Sequence, residues 1–393
     1  VFVWVLVLAA LRLLVVPEEH CPDIDEAALR SAATRTVAWA ERTQRDDGRW
    51  IYRYDAVNDI DLDIYEMVRH SALALSLYQA VPLGFPEALR VADRAGDYVR
   101  SRLLERDGWI AVAEQDRTQR VPSGATALWL AALVERRAIT RDTTDDDLLR
   151  GMGRFLLTMV SPRGAVAESW DPATGAPDFD RPSPFFTGEV AWALAELHLA
   201  LPGEGWDEPA ARIVRYLATE RDEAEAWFPP LPDHWGAYAL DTIARWPERR
   251  GAGRAGPLED HEVRFARRIA GLESLQVRFD SQRTDEGWSR LTRGRRALGA
   301  GVGTIGEALA QLWSVSRVEP RLAGAEATIG ARAQCAAGLL VDRQIDDREA
   351  RAYPRPELVE GTWLHRGVTQ IDDQQHPLSG ILTMIELVGG ARA

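Results

Sequence analysis

From Ile24 onward, apolar positions recur at helical spacing in a train of segments separated by short loops, and alternating β-branched runs are nearly absent. The pattern predicts an all-α chain. Helices are expected in pairs: near Glu26–Arg42 and Ile64–Gln79, near Pro86–Leu104 and Ser123–Arg137, and near Asp145–Val160 and Thr187–Ala200. Three more pairs follow, near Asp207–Glu220 and His234–Trp246, near His261–Arg278 and Gly303–Ser316, and near Ala325–Arg343 and Gln374–Val388. Loop marks at Gly48, Gly108, Gly164, Trp227 and Gly287 recur at roughly sixty-residue intervals, a period that signals a helical repeat. One hairpin cannot bury its apolar faces alone, so neighbours must stack until the array ends or closes on itself. Twelve helices favour closure. The second helix of each pair, richer in Ala, Gly and Leu, is then expected to line the inside.

Ahead of this train, Val1–Val16 is apolar except for Arg12 and is followed by Pro17 and an acidic stretch to Glu26. At about 1.5 Å per residue it reaches roughly 24 Å, short of the ~30 Å hydrocarbon core of a bilayer. Residues 1–22 read as a signal or membrane-anchor segment with a short linker, and residues 23–393 as a single toroid domain. That reading puts the toroid outside the cytoplasm or at a membrane, anchored through residues 1–16. A buried first helix would instead keep it cytoplasmic.

Composition removes several functions. The sequence contains no Lys, which excludes a phosphate-loop lysine and any lysine Schiff base. A net charge of −13 without a basic block argues against nucleic acid. Cys21 and Cys335 cannot form a zinc knuckle; they read as a linker thiol and a buried helix thiol, with a single disulfide as the alternative. No cofactor or metal motif is present. Gly251–Gly256 matches a dinucleotide fingerprint without its preceding strand, and Asp59–Asp63 lacks the glycine and distal glutamate of a calcium loop.

Six hairpins with Gly-x-Trp loops resemble the six-hairpin, or (α/α)6 toroid, glycosidase-like superfamily over nearly all of residues 24–393. The stretches Asp47–Tyr52, Ile64–His70, Thr187–Glu189 and Gln370–His376 carry that resemblance. It implies a substrate funnel at one mouth of the ring, with carbohydrate as the partner. Relatives by fold also include epimerases, lyases and terpenoid cyclases, and fold does not fix chemistry.

Acids and histidines gather at the starts of the predicted inner helices: Glu66, Arg69 and His70; Glu189; Asp233, His234 and Trp235; Glu307; and Asp372, Asp373 and His376. Closure would bring these to one rim. Acids also cap helix N-termini for purely structural reasons, and a helix-face histidine is commonly a satisfied core residue. Glycoside hydrolysis needs a protonated carboxyl and a second carboxylate. From Asp63 and the acids just named, Glu189 and Asp372 are chosen as that catalytic pair, and the other rim residues as substrate contacts. The alternative is a toroid that binds a glycan or protein without chemistry. Trp50, Trp109, Trp170, Trp227, Trp235, Trp288 and Trp363 fall in loops or helix starts, as sugar platforms or hairpin staples.

Overall fold

The computed structural model describes residues 2–15, 18–62, 64–114, 120–226, 228, 230–250, 255–283 and 299–390. Asp63, Trp227, Gly287 and Trp288, and most of the Gly251–Gly256 run, lie outside them. Among the described residues, a first helix α1 (Phe2–Val15) is followed by twelve long helices that alternate around a ring. The outer set is α2 (Glu26–Thr43), α4 (Glu87–Arg100), α6 (Asp146–Thr158), α8 (Asp207–Thr219), α10 (Asp260–Ser281) and α12 (Glu326–Arg343). The inner set is α3 (Met67–Ala80), α5 (Ser123–Thr140), α7 (Phe186–Ala200), α9 (His234–Arg245), α11 (Ala300–Val318) and α13 (Ile371–Val388). Each inner helix packs on the next, and α13 returns to α3, so the ring closes.

The two sets differ in sequence for a physical reason. An inner helix is covered on all sides and must be apolar or small nearly throughout, as in α7, where every residue from Thr187 to His198 is buried. An outer helix such as α4 buries only one stripe, through Ala88, Val91, Ala92, Ala95 and Val99. Helix starts carry capping chemistry: Asp25 accepts from the Ala28 N–H at 2.8 Å, and Glu259 and Glu262 form a capping box on α10.

The sixty-residue mark has a structural cause. Gly48 and Gly164 have φ of +87° and +99°, and a Cβ there would lie 2.2 Å from the Arg94 carbonyl oxygen and 2.6 Å from that of Arg212. Gly361, at φ +82°, makes the same approach to Arg35 O, at 2.5 Å, across the seam of the ring. These three turns thus lie against the outer helix of the next hairpin, where only glycine fits, whereas a Cβ at Gly108 would meet nothing within 4 Å.

Short strands, not expected from the helical pattern, line the connecting loops. Arg53–Asp55 pairs with Ile60–Asp61 and also with Val368–Gln370. The second pairing joins the first hairpin to the last, and only closure brings those strands together. Of the tryptophans, Trp50 and Trp363 are fully buried staples whose indole N–H groups donate to Ala40 O and Leu340 O, each at 2.9 Å. Trp109 and Trp170 are buried and pack edge to face with each other.

The reading of two separate thiols is corrected: Cys21 and Cys335 form a disulfide, with Cα atoms 4.7 Å apart. The linker is pinned to α12, where Gly338 admits the Pro22 carbonyl: a Cβ at Gly338 would lie 2.2 Å from it. Glu19 adds ion pairs to Arg332 and Arg278, and the His20 N–H donates to Ser281 O at 2.9 Å. Helix α1 itself exposes Phe2, Val3, Trp4 and Leu8. None of the helices in the described residues is long and apolar enough to cross a membrane.

Candidate active site

Closure brings the inner-helix starts to one rim, as contacts between them show. Arg69 Nε on α3 lies 3.1 Å from Asp372 Oδ1 on α13. Asp373 accepts from the Ala300 N–H of α11 at 3.1 Å. His376 meets His234 of α9, Gly188 of α7 packs on Asp233, and Gly124 of α5 packs on the Glu189 carboxyl. Glu189 and Asp372 therefore share one end of the ring.

A chain of alternating charge runs from this rim to the centre. Glu66 pairs with Arg69, which also donates to Tyr52 Oη at 2.8 Å; Arg69 holds Asp372, Asp372 lies 3.6 Å from His376 Nε2, and His376 Nδ1 donates to Glu307 Oε2 at 2.6 Å. Burial alone would raise Asp372, but the His376 and Arg69 side chains hold it down at about 2. Burial alone would lower His376, yet Glu307 and Asp372 push it up to about 10. Burial also pushes Glu307 up, against the His376 charge. The shared proton stays on His376, because Asp372 flanks its other nitrogen while Tyr238 and Gln375 donate to Glu307 Oε1 at 3.2 and 3.4 Å.

His234 is the opposite case. Its ring lies edge to face with that of His376, centroids 5.0 Å apart at 81°. Burial, followed by the His376 charge, drives its pKa well below 6.5, so it is a neutral imidazole. Its Nε2 is buried without a hydrogen-bond partner. Glu189, 3% exposed, has one oxygen in the same state, and burial pushes its carboxyl up to about 8. Thr187 Oγ1 and Gln375 Oε1 are likewise buried and unpaired. Orphaned buried polar atoms are rare, and several on neighbouring helix starts mark a place for water or a polar ligand. Trp235, 3% exposed, stacks on Trp192 at 18° and 5.4 Å, with His376 at 5.7 Å.

Three of the expected contacts, Asp233, His70 and Asp373, have structural work. Asp233 caps α9 by accepting from the Gly236 N–H at 2.9 Å, and its other oxygen pairs with the fully buried Arg221. His70 is fully buried between Tyr65 Oη, 2.6 Å from Nδ1, and Ala95 O, 3.1 Å from Nε2, and burial lowers it to about 4. Both of its nitrogens are engaged by protein. Asp373, pushed up to about 7 chiefly by burial, props the start of α11. Tyr238 and Trp192 are not singled out by the sequence, and Tyr52, Thr187 and Gln375 lie in the stretches that carry the resemblance without being chosen as site residues. A signal existed for Tyr238, one helical turn from His234 and so on the same face.

His234, Glu307 and His376 each offer a ligand atom within 4.8 Å of the others, a donor set that suits zinc. A cation there would have to displace the proton that His376 holds against Glu307. His198, Asp207 and Glu248 form a second such group, toward the opposite ends of the inner helices.

No sequence-family model matches the chain, and no characterised protein matches it in sequence. Its fold, by contrast, is well represented. A D-mannose isomerase superposes with a TM-score of 0.59 at 11% identity, covering 92% of this chain and 98% of that one. An α-mannanase from Bacteroides thetaiotaomicron gives 0.60 at 8% identity, covering 92% and 96%. A cellobiose 2-epimerase from Spirochaeta thermophila gives 0.60 at 13%, covering 92% and 98%. The chain has the fold of the six-hairpin glycosidase-like toroids. At these identities the likeness speaks for architecture alone, and the chemistry must be argued from the rim.

Proposed function

We propose that the chain is a sugar-transforming enzyme that moves a proton at the carbon next to a sugar carbonyl, as an aldose–ketose isomerase or a 2-epimerase. The carrying observation is the perpendicular pair of His234 and His376 in opposite protonation states. Groups whose environments push their pKa values apart divide the roles of base and acid. Neutral His234 takes the C2 proton on its free Nε2, the C2–H electrons form the C1–C2 double bond, and the carbonyl π electrons move to O1. His376, an imidazolium oriented by Glu307 and Asp372, returns a proton to carbon. Arg69 and Trp235 border the space for sugar hydroxyls and a ring face. Two of the fold neighbours named above, an isomerase and an epimerase of sugars, support the reading by analogy.

The test is incubation with D-mannose and cellobiose in D2O, reading deuterium at C2 by NMR. Exchange in the wild type and its loss by at least a hundredfold in His234→Asn support the proposal. Exchange that persists in His234→Asn rejects the role of that residue.

A second reading is hydrolysis of a glycosidic bond, with Glu189 as proton donor and ionised Asp372 as its partner. It is favoured by the separation of their pKa values, about 8 against about 2. Release of reducing ends from α-mannan without deuterium exchange would select it. A toroid that binds a glycan without chemistry would give neither signal yet retain the sugar in calorimetry.

We also propose that the toroid works outside the cytoplasm, held at a membrane by α1. The Cys21–Cys335 disulfide supports an oxidising compartment, and the exposed apolar side chains of α1 support contact with lipid. Thiol-trapping of cell extracts checks the first point: free thiols in the native protein would reject it. Membrane fractionation with and without residues 1–16 checks the second.

A further inference from the structure

Glu189 is a buried acid at the rim that the proton-transfer scheme leaves unused and that, unlike Asp233 and Asp373, accepts from no helix-start N–H. Its placement is unusual. Gly124, in the first turn of α5, admits the carboxyl: a Cβ on that glycine would lie 2.2 Å from Glu189 Oε2 and 2.6 Å from the Phe186 ring. The carboxyl is thereby lodged at the junction of α5 and α7, facing the charges of His376, Asp233, Asp372 and Arg69 across the rim. It is 3% exposed, and Oε2 meets no donor or acceptor of the protein. A carboxylate in that position would be desolvated with no hydrogen bond from the protein, and the opposing charges of His376 and Arg69 are themselves countered by Asp372 and Asp233, so the group is held as the neutral acid. A neutral acid carries an O–H, and the protein supplies no acceptor for it. The acceptor must come from whatever occupies the rim.

We infer that Glu189 is a neutral hydrogen-bond donor to the carbonyl oxygen of the open-chain sugar, polarising the carbonyl while His234 removes the neighbouring proton. This rests on the proton-transfer reading above. As the C2–H bond breaks, negative charge moves onto O1, and the Glu189 O–H shortens its hydrogen bond to that oxygen without giving up its proton. In an epimerisation His376 then supplies the proton to C2 and O1 returns to a carbonyl; in an isomerisation the proton goes to C1, and O1 takes the proton that the O2 hydroxyl gives up as C2 becomes the carbonyl. A preorganised donor aimed at developing charge in a site closed to water is typically worth 10²–10³ in rate. A carboxylic acid kept neutral to donate is an established solution to the same problem in other enolising enzymes.

The experiment compares Glu189→Gln and Glu189→Leu with the wild type in the deuterium-exchange assay across pH 6–11, with melting curves for each. The Gln variant keeps an N–H donor at the same place. It should retain about a tenth or more of the wild-type rate, whereas the Leu variant should lose about 10²–10³. In the wild type the rate should fall above about 8, where Glu189 ionises, and in the Gln variant that limb should move to higher pH. A Gln variant as dead as the Leu variant, or an alkaline limb unmoved in the Gln variant, overturns the donor role. Exchange unaffected by Leu overturns it as well, and in all three cases the wild-type exchange leaves the proton-transfer reading standing. Absence of exchange in the wild type overturns that reading and this assignment together.

Discussion

His376 Nδ1 lies 2.6 Å from Glu307 Oε2, and this contact between α13 and α11 keeps the imidazole charged deep in the ring. Glu307 is fully buried, so its carboxylate faces His376 with little solvent screening. Replacing Glu307 with Gln removes the counter-charge and should let His376 fall from about 10 toward ordinary histidine values. The expected result is a 10–100-fold lower exchange rate at pH 8 that recovers partly at lower pH, read from pH–rate profiles.

Asp372 positions the other side of the same ring, 3.6 Å from Nε2, and is itself held by Arg69. Asp372→Asn should lower the exchange rate less than His376→Asn does, since Glu307 still holds the proton on His376. Equal loss in both variants would instead assign Asp372 a direct part in the chemistry, as hydrolysis requires.

Gly188 is where α7 meets α9. A Cβ there would lie 2.4 Å from Asp233 Oδ1 and 2.7 Å from Trp235 Cβ. Gly188→Ala should displace the α9 start that carries His234, costing about 1–3 kcal/mol in urea unfolding and most of the exchange activity. A variant with native stability and activity would show that the α9 start has slack.

Glu273 on α10 is 2% exposed, one of its oxygens has no partner, and burial followed by the Asp233 charge pushes it up to about 8. The folded chain holds this proton more tightly than the unfolded chain. As pH rises from about 4.5 to 8 the unfolded state releases it first, so the group subtracts stability across that window. Glu189 acts in the same direction. Glu273→Gln should therefore stabilise the protein at pH 8 by an amount on the order of 3 kcal/mol, and by little at pH 5, measured by urea midpoints.

The Cys21–Cys335 bond closes a loop between residues 314 apart in sequence. Cys21→Ser should lower stability by about 2–4 kcal/mol and expose residues 18–25 to proteolysis. An unchanged midpoint and cleavage pattern would mean that the Glu19 ion pairs and the His20 hydrogen bond suffice to hold the linker.

The helical framework was legible because periodicity is a local property. Outer and inner helices begin within a few residues of the positions expected from pattern, caps and small-residue content, as at Glu26, Ser123, Asp207 and His234. The convergence of Glu189, Asp372, His234 and His376 was legible once closure was assumed, since repeat period alone places every inner-helix start on one rim. Their division of labour was not. Glu307, Asp233 and His70 all read as substrate contacts in the sequence; in the structure Glu307 is the buried anchor of His376, Asp233 caps a helix and His70 is a core histidine. The difference lies in burial and in partners from distant hairpins, which no local pattern encodes.

By itself, then, the sequence determined the order of the twelve ring helices, the exclusion of lysine-dependent chemistry, and most of the charged residues available to the mouth. Tertiary structure decided which of those residues are charged. A carboxyl or imidazole takes its protonation state from desolvation and from neighbours within a few ångströms, and in a closed ring those neighbours arrive from the far ends of the chain. Ring closure thus leaves His234 neutral and His376 charged, a distinction that two histidines 142 positions apart do not carry on their own.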